Sequence, residues 1–456
     1  MFWRKIMAKK LEEIKEEECS YELPEGWKWK YIADVSTVVT GSTPSKKEID
    51  YYSDKGGFPF FKPADLDSGR KLYNSSEYLS DKGKNISKII PSGSTLVCCI
   101  GTIGKSAYME VEGTTNQQIN AVIPNINNLY MYYFSNTDIF INQLLEKASA
   151  ITISIVNKSK MESCYIPIPP KETQQKIVDI IESLFAKLDI AQEKVEHVLA
   201  ESENRRSAIL HNAFSGKLTE KWREENKNIV IEDIDLSLID KNYDVQELEY
   251  DLPSTWKWVT FNEICTFIGS GVTPKGGQEV YTLNGIPFIR SQNVLRLKLD
   301  LSDVAYISDE INSKMKRTQI KGGETLFNIT GASIGRACYV HRKQNTGNVN
   351  QHVCILRYKN FILENLPQYW LNSSMMQYFI SDNQIGQTRQ ALNFKQIRGI
   401  MFPLCPYEEQ KEIVRLLDKF LSVEDKVKST CQSTLEAIAT MRKSILAKAF
   451  RGELVS

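Results

Sequence analysis

The stretch YELPEGWKWK at residues 21–30 returns as YDLPSTWKWV at 250–259, the first of seven such returns. GSTPSK (41–46) matches GVTPKG (271–276), FPFFKPADL (58–66) matches IPFIRSQNV (286–294), and GTIGKSAYM (101–109) matches GASIGRACYV (331–340). TNQQINAVI (115–123), IPIPPKETQQKIV (166–178) and RRSAILHNAFSGKL (205–218) match VNQHVCILR (349–357), MFPLCPYEEQKEIV (401–414) and MRKSILAKAFRGEL (441–454). The order is preserved, and the offset drifts only from 228 to 236 residues. A chain written twice must fold as two similar units, because each copy has the same apolar pattern to bury.

Each copy has two parts. The first alternates short β-branched and aromatic runs (TLVCCI, SAYMEV; TLFNIT, ACYVH) with Gly, Pro and Asn turns, which predicts a mixed α/β domain on a twisted sheet. The aromatic stretches YMYYFSNTDIFINQLLE and LPQYWLNSSMMQYFI read as helices whose rings enter the core. The second part has neither proline nor glycine from Lys171 to Ser215, and again from Tyr407 to Arg451. A proline before the start, Glu in the first turn and Gly past the end predict one helix each time, ~65 Å long at 1.5 Å per residue. Apolar residues at alternating four- and three-residue steps form a seam: Ile177, Ile181, Leu184, Leu188, Ala191, Val195 and Val198. The second copy offers Ile413, Leu417, Phe420, Val427, Cys431, Ile438, Met441 and Ile445. Such a seam buries itself against another helix, and its repeat is the obvious partner. Ser202, Arg205 and Glu424 interrupt it, either setting register or lying at solvated ends.

The expected organisation is a charged helical segment at 1–20, a head at 21–170, a spacer helix at 171–216, a linker at 217–249, a second head at 250–406 and a second spacer helix at 407–456.

Most chemistries are excluded early. GTIGKS is shorter than a phosphate-cradling loop, and its second copy replaces the lysine and serine with Arg336 and Ala337, so a nucleotide site is the wrong reading. FIGSG (267–271) resembles a loop of S-adenosylmethionine enzymes, but its counterpart VVTGS lacks the first glycine and no motif for a flipped base occurs. The nine cysteines are scattered with no C-x-x-C, and four histidines never cluster with ligand partners; metal sites and disulfides are not expected, and a reducing cytoplasm is. No apolar run approaches the ~20 residues of a membrane span. The net charge of +1 hides an asymmetry: residues 252–406 carry 17 Lys/Arg against 9 Asp/Glu, while residues 23–169 carry 15 against 14. That excess suggests a polyanionic partner for the second head.

The combination of LPEGWKW and LPSTWKW, the GSTP and GVTP loops, the helix starts IPPKETQQKIV and CPYEEQKEIV, and the helix ends AFSGKLTEKWREEN and AFRGEL resembles the DNA-specificity subunit of type I restriction-modification systems. The likeness runs over residues 21–456. It implies an α+β fold in which two pseudo-symmetric mixed α/β target recognition domains are separated by two long α-helices forming an antiparallel coiled coil. It further implies double-stranded DNA as ligand, two methyltransferase (modification) subunits and restriction subunits as partners, and no catalysis in this chain. S-adenosylmethionine, ATP and Mg would then belong to the partners. SAITISIVN (149–157) departs from the more family-like GQTRQALN (386–393), so a DNA role for this loop is expected only in the second head.

Two heads related by a pseudo-two-fold axis can match the dyad of duplex DNA, and because they differ they should read different half-sites. Lys and Arg would position each head on phosphates while Asn, Gln, Arg and Thr read base edges. The candidates are Thr43, Lys46, Lys62, Lys105, Asn116 and Gln117 in the first head. In the second they are Thr273, Lys275, Arg290, Gln292, Asn293, Arg336, Gln351 and Arg389. Two rivals are left for experiment to exclude: a free-standing architectural DNA-binding protein without enzyme partners, and, against the reading of the loop given above, a nucleotide hydrolase using GTIGKS.

Overall fold

The computed structural model describes residues 14, 21–54, 56–148, 154–231, 251–344, 346–382 and 391–455. The N-terminal segment and most of the expected linker therefore lie outside the described residues. The chain divides into two units, one of Met1–Glu196 with Gln432–Ser456, the other of His197–Cys431.

The duplication is visible strand by strand. In the first unit Ser36–Thr40, Ile119–Pro124, Thr95–Cys98 and Ser106–Met109 are antiparallel neighbours in that order, with Lys71–Leu72 added parallel at the edge. In the second, Cys265–Ser270, Val353–Tyr358, Thr325–Asn328 and Ala337–Tyr339 repeat the order. A smaller sheet accompanies each, with Phe58–Phe61 or Ile286–Ile289 between an antiparallel and a parallel neighbour. Thr95–Cys98 is buried throughout because its sheet is covered on both faces: Val97 joins a core with Tyr130–Phe134, while Leu96 and Cys98 face a second core with Phe61, Met109 and Ile119. This explains why the run reads as continuously apolar instead of alternating.

The aromatic helices are core, as expected: Tyr130, Tyr133, Phe134 and Trp370 are at most 2% exposed. Each is tied to its own long helix by the same bond, Tyr133 to Glu182 and Tyr369 to Asp418. The glutamines at the helix starts repeat a clamp as well. Gln174 accepts from Asn127 N (3.1 Å) and donates to Pro169 O (3.0 Å); Gln410 accepts from Leu363 N (2.7 Å) and donates to Phe361 O and Cys405 O (3.0 Å each). Both are almost fully buried, so the helix-start motif seen in the sequence is a fold determinant.

Two expectations about the helices are corrected. The first is not continuous: Lys171–Ala200 is followed at Glu201 by a turn and then by Ser202–Phe214, and the Val198 carbonyl accepts from the Arg205 guanidinium at 3.1 Å. The second runs unbroken from Tyr407 to Phe450, ~66 Å at 1.5 Å per residue. Its first part belongs to the second unit and its last part to the first. Within each unit the helices run antiparallel. In the first, Arg442 meets Asp189 (2.6 Å) and Gln192 (3.1 Å), while the later residues Leu446 and Phe450 join the earlier Ile177, Ile181 and Phe185. In the second, Arg205 meets Glu424 at 3.0 Å while Thr219 meets Glu409 at 2.7 Å.

The buried stripe is also displaced from the expected seam. Ile177, Ile181, Ile413, Leu417 and Ile438 are buried, but Leu184, Leu188, Val195, Val427 and Ile445 are only half-buried, and Val198, Phe420 and Met441 are exposed. Phe185, Leu421 and Leu446 take the buried places, each one position after an expected or exposed neighbour. A helix of 3.6 residues per turn drifts ~20° per heptad away from a strict seven-residue repeat. Finally, the start of the expected linker is folded: Lys217–Thr219 and Glu220–Glu225 are helical and pack within the second unit, where Thr219 is buried.

Seven of the eight described cysteines are buried, and burial pushes the thiols of Cys99, Cys164, Cys338 and Cys354 up to about 12. Among the described residues no cluster of three or more metal-binding side chains occurs, and no helix is long and apolar enough to cross a membrane.

Candidate nucleic-acid interface

Three recurring loops meet in each unit: the Gly-x-Thr-Pro loop, the Asn-Gln turn and the tip of the hairpin joining the third and fourth strands of the main sheet. The first two touch so closely that only glycine fits. A Cβ on Gly41 would sit 2.2 Å from Thr115 O, and one on Gly271 would sit 1.7 Å from Val349 O. The Asn-Gln turns close on themselves, with Gln118 N donating to Asn116 Oδ1 (3.1 Å) and His352 N to Asn350 Oδ1 (3.0 Å). GTIGKS is the tip of the hairpin joining Thr95–Cys98 to Ser106–Met109, with Gly101 at φ +79° and Gly104 at φ +85°; Gly331 and Gly335 repeat this at +74° and +87°. A phosphate-cradling loop feeds a helix N-terminus, and here a strand follows instead.

The fourteen expected contact residues separate by burial and partners. Thr43 and Gln117 are exposed and hydrogen-bonded to each other at 2.5 Å, joining two of the loops. Lys46 is exposed and lines an open cavity of about 450 Å³ with Tyr52, Ser76 and Tyr78. Lys62 is ion-paired to Glu77, and Lys105 binds Asp67 (2.5 Å) and Pro63 O (2.9 Å), so both charges are balanced inside the head. Asn116 is 7% exposed and Asn293 2%, and their amides are engaged internally, with Gln118 and with the carbonyls of Asp300 and Asp303. Buried amides with satisfied donors do not reach a base edge, so these two are turn-forming residues.

In the second head Thr273 is half-buried and Lys275 exposed. Arg290 N donates to Asn293 Oδ1 (3.0 Å), as Lys62 N does to Asp65 Oδ2 (2.6 Å), and its guanidinium lies 4.0 Å from Asp303. Gln292 is exposed and donates to the Asp303 carboxylate at 2.9 Å. Gln292 and Arg336 line one open groove of about 430 Å³ together with Ser291, Thr330, Ser333 and His352, and the exposed Gln351 adjoins it. Arg336 occupies the place of Lys105 but has no carboxylate partner among the described residues. Arg389 lies outside the described residues; the chain resumes at Ala391, which bridges Thr330 at this groove.

Sequence reasoning missed His352 and Thr330, whose Nδ1 and Oγ1 lie 2.5 Å apart. The signal was present in the alignment of the two copies. Their counterparts are Gln118 and Ile100, so these are loop positions at which the copies differ within an otherwise shared framework.

A family model described as the type I restriction modification DNA specificity domain matches residues 24–200 and again 253–437. The chain is 24% identical over 414 residues to the type I restriction enzyme EcoBI specificity subunit of Escherichia coli, covering 90% of this chain and 83% of that one. It is 23% identical to the EcoKI specificity subunit of E. coli strain K12, covering 95% and 90%. Among solved structures it resembles a chain from work on the assembly and conformational transition of the type I R-M system (TM-score 0.70, 20% identity, 95% and 99% covered). The HsdS subunit of Thermoanaerobacter tengcongensis is similar at a TM-score of 0.59 and 20% identity, with 95% and 98% covered.

Proposed function

Because the chain belongs to the type I restriction-modification DNA specificity family, we propose that its duplicated loop clusters read the two halves of a bipartite, asymmetric DNA target. The chain is a non-catalytic specificity subunit: it confers sequence recognition, and the methyl transfer and ATP-driven restriction belong to other subunits of the complex, which would carry the S-adenosylmethionine, ATP and Mg. The observation that carries the reading is the double family match, one per repeat, laid over two heads with the same strand order and the same three converging loops.

In the second head, Arg336, which has no carboxylate partner among the described residues, is a cation for a phosphate, while Gln292, Gln351 and His352 present donors and acceptors for base edges. Thr43, Lys46 and Gln117 are the corresponding surface of the first head, Thr273, Lys275 and Arg290 extend that of the second, and Arg389 is a further candidate for a DNA contact. The long helices continue as an antiparallel coiled coil that sets the spacing of the half-sites, and their exposed apolar residues Ile190, Phe420 and Val423 suit the docking of two modification subunits. The setting is the cytoplasm, where the DNA is.

Deleting the gene should erase one bipartite methylation pattern from the host genome, read by methylome sequencing. A pattern unchanged by deletion contradicts the proposal and leaves the free-standing architectural reading. Arg336→Ala should weaken binding of target and non-target duplexes alike and lower the salt dependence by about one phosphate contact. Lys105→Ala should change it far less, because that charge is already spent within the head. Titrations at two salt concentrations distinguish the two variants.

A further inference from the structure

The two units treat one equivalent position differently. In the second, Trp256 is 6% exposed: its Nε1 donates to Glu409 at 2.9 Å, and the Arg223 guanidinium lies 5.6 Å over its ring. Arg223 arrives on the helical turn that follows Gly216 and pairs with Glu409 at 2.7 Å. A Cβ on Gly216 would lie 2.4 Å from Pro253, so the helix end sits directly on the start of the head. The first unit has the same abutment, with Gly452 equally close (2.5 Å) to Pro24. Yet Trp27, the counterpart of Trp256, is only half-buried. It lines an open groove of about 500 Å³ with Pro24, Pro170, Thr173 and Val455, and among the described residues no guanidinium covers it.

The sequence contains two Trp-Arg dipeptides, Trp222–Arg223 and Trp3–Arg4. Trp222 precedes Pro253 by 31 residues, and Trp3 precedes Pro24 by 21. The shorter connection still has ample reach, since an extended chain covers ~3.3 Å per residue and Tyr21, just beyond the segment, is bound beside the groove by its hydroxyl on Phe450 O at 2.6 Å. The first ten residues carry Arg4, Lys5, Lys9 and Lys10 and no acidic residue. The groove rim carries Glu25 and Glu453 alongside Arg451. We propose that Met1–Lys10 docks in this groove, with Arg4 taking the place over Trp27 that Arg223 takes over Trp256 in the second unit, and Trp3 seated beside it. Thr173 stands where the second unit has Glu409, so the carboxylates that receive Arg4 are those of the rim.

The test is intramolecular cross-linking of the full chain. Lys5→Cys is combined with Thr173→Cys in a Cys19→Ser background, treated with a short bismaleimide and mapped by peptide mass. A link between residues 5 and 173 within one chain is expected, above that of a Lys5→Cys, Ile49→Cys control. Adding Trp3→Ala and Arg4→Ala should lower its yield roughly fivefold, the worth of one cation–aromatic contact. A yield no higher than the control, a link formed only between two chains, or a yield indifferent to the loss of Trp3 and Arg4 each overturns the proposal.

Discussion

Exchanging residues 21–170 for the corresponding head of another family member changes one half of the methylated sequence and leaves the other half and the spacer as they were. The expectation rests on how each head is joined to the rest of its unit. The first head meets the long helices through a small set of repeated contacts: the Gln174 clamp on Asn127, the Tyr133–Glu182 bond, and Phe450 against the Tyr130 ring at 4.8 Å. Gln174, Tyr133, Glu182 and Phe450 have Gln410, Tyr369, Asp418 and Phe214 as counterparts in the second copy, so a donor head that retains its side of these contacts will seat on the same helices. On the proposed reading its three loops determine which bases are read. The measurement is methylome sequencing of the hybrid. If both halves change together, the heads are not independent readers.

Glu409→Ala should destabilise the second unit by about 3 kcal/mol, the lower end of the loss on breaking a buried ion pair by removing one partner. Glu409 is fully buried and receives three donors: Arg223 at 2.7 Å, Thr219 at 2.7 Å and the Trp256 indole at 2.9 Å. Removing the carboxylate strands all three. The lower end applies because Arg223 keeps the Gly216 carbonyl at 2.6 Å and is partly exposed. Thr173→Ala, at the equivalent position of the first unit, should cost far less, because no such network forms there among the described residues. Denaturant unfolding of the two variants gives the comparison; equal losses would show that Glu409 is no more than another helix-start residue.

Much of this protein was legible in the chain itself, and the reason is that duplication acts as an internal control. Two copies in the same order established two heads. The apolar runs bounded by turns established sheets, and the long stretches free of Pro and Gly established helices, since local pattern and backbone propensity decide those features. The same control exposed GTIGKS as a false nucleotide motif, because Arg336 and Ala337 stand in its second copy. What the chain did not disclose depends on contacts between residues far apart. Which face of each helix is buried was misplaced by about one residue, because a straight helix drifts from the heptad and only its neighbours determine where the stripe lies. The break at Glu201 is accompanied by Arg205 bonding Val198 and Glu424, a competition invisible to propensity. Lys62 and Lys105 looked like phosphate ligands until Glu77 and Asp67 were found beside them, whereas Arg336, the same type of residue at an equivalent place, has no such neighbour among the described residues. Residue type and spacing thus determined what the elements are; whether a given charge is free to meet DNA was decided only by tertiary packing, because an ion pair is a property of two positions brought together and not of either one.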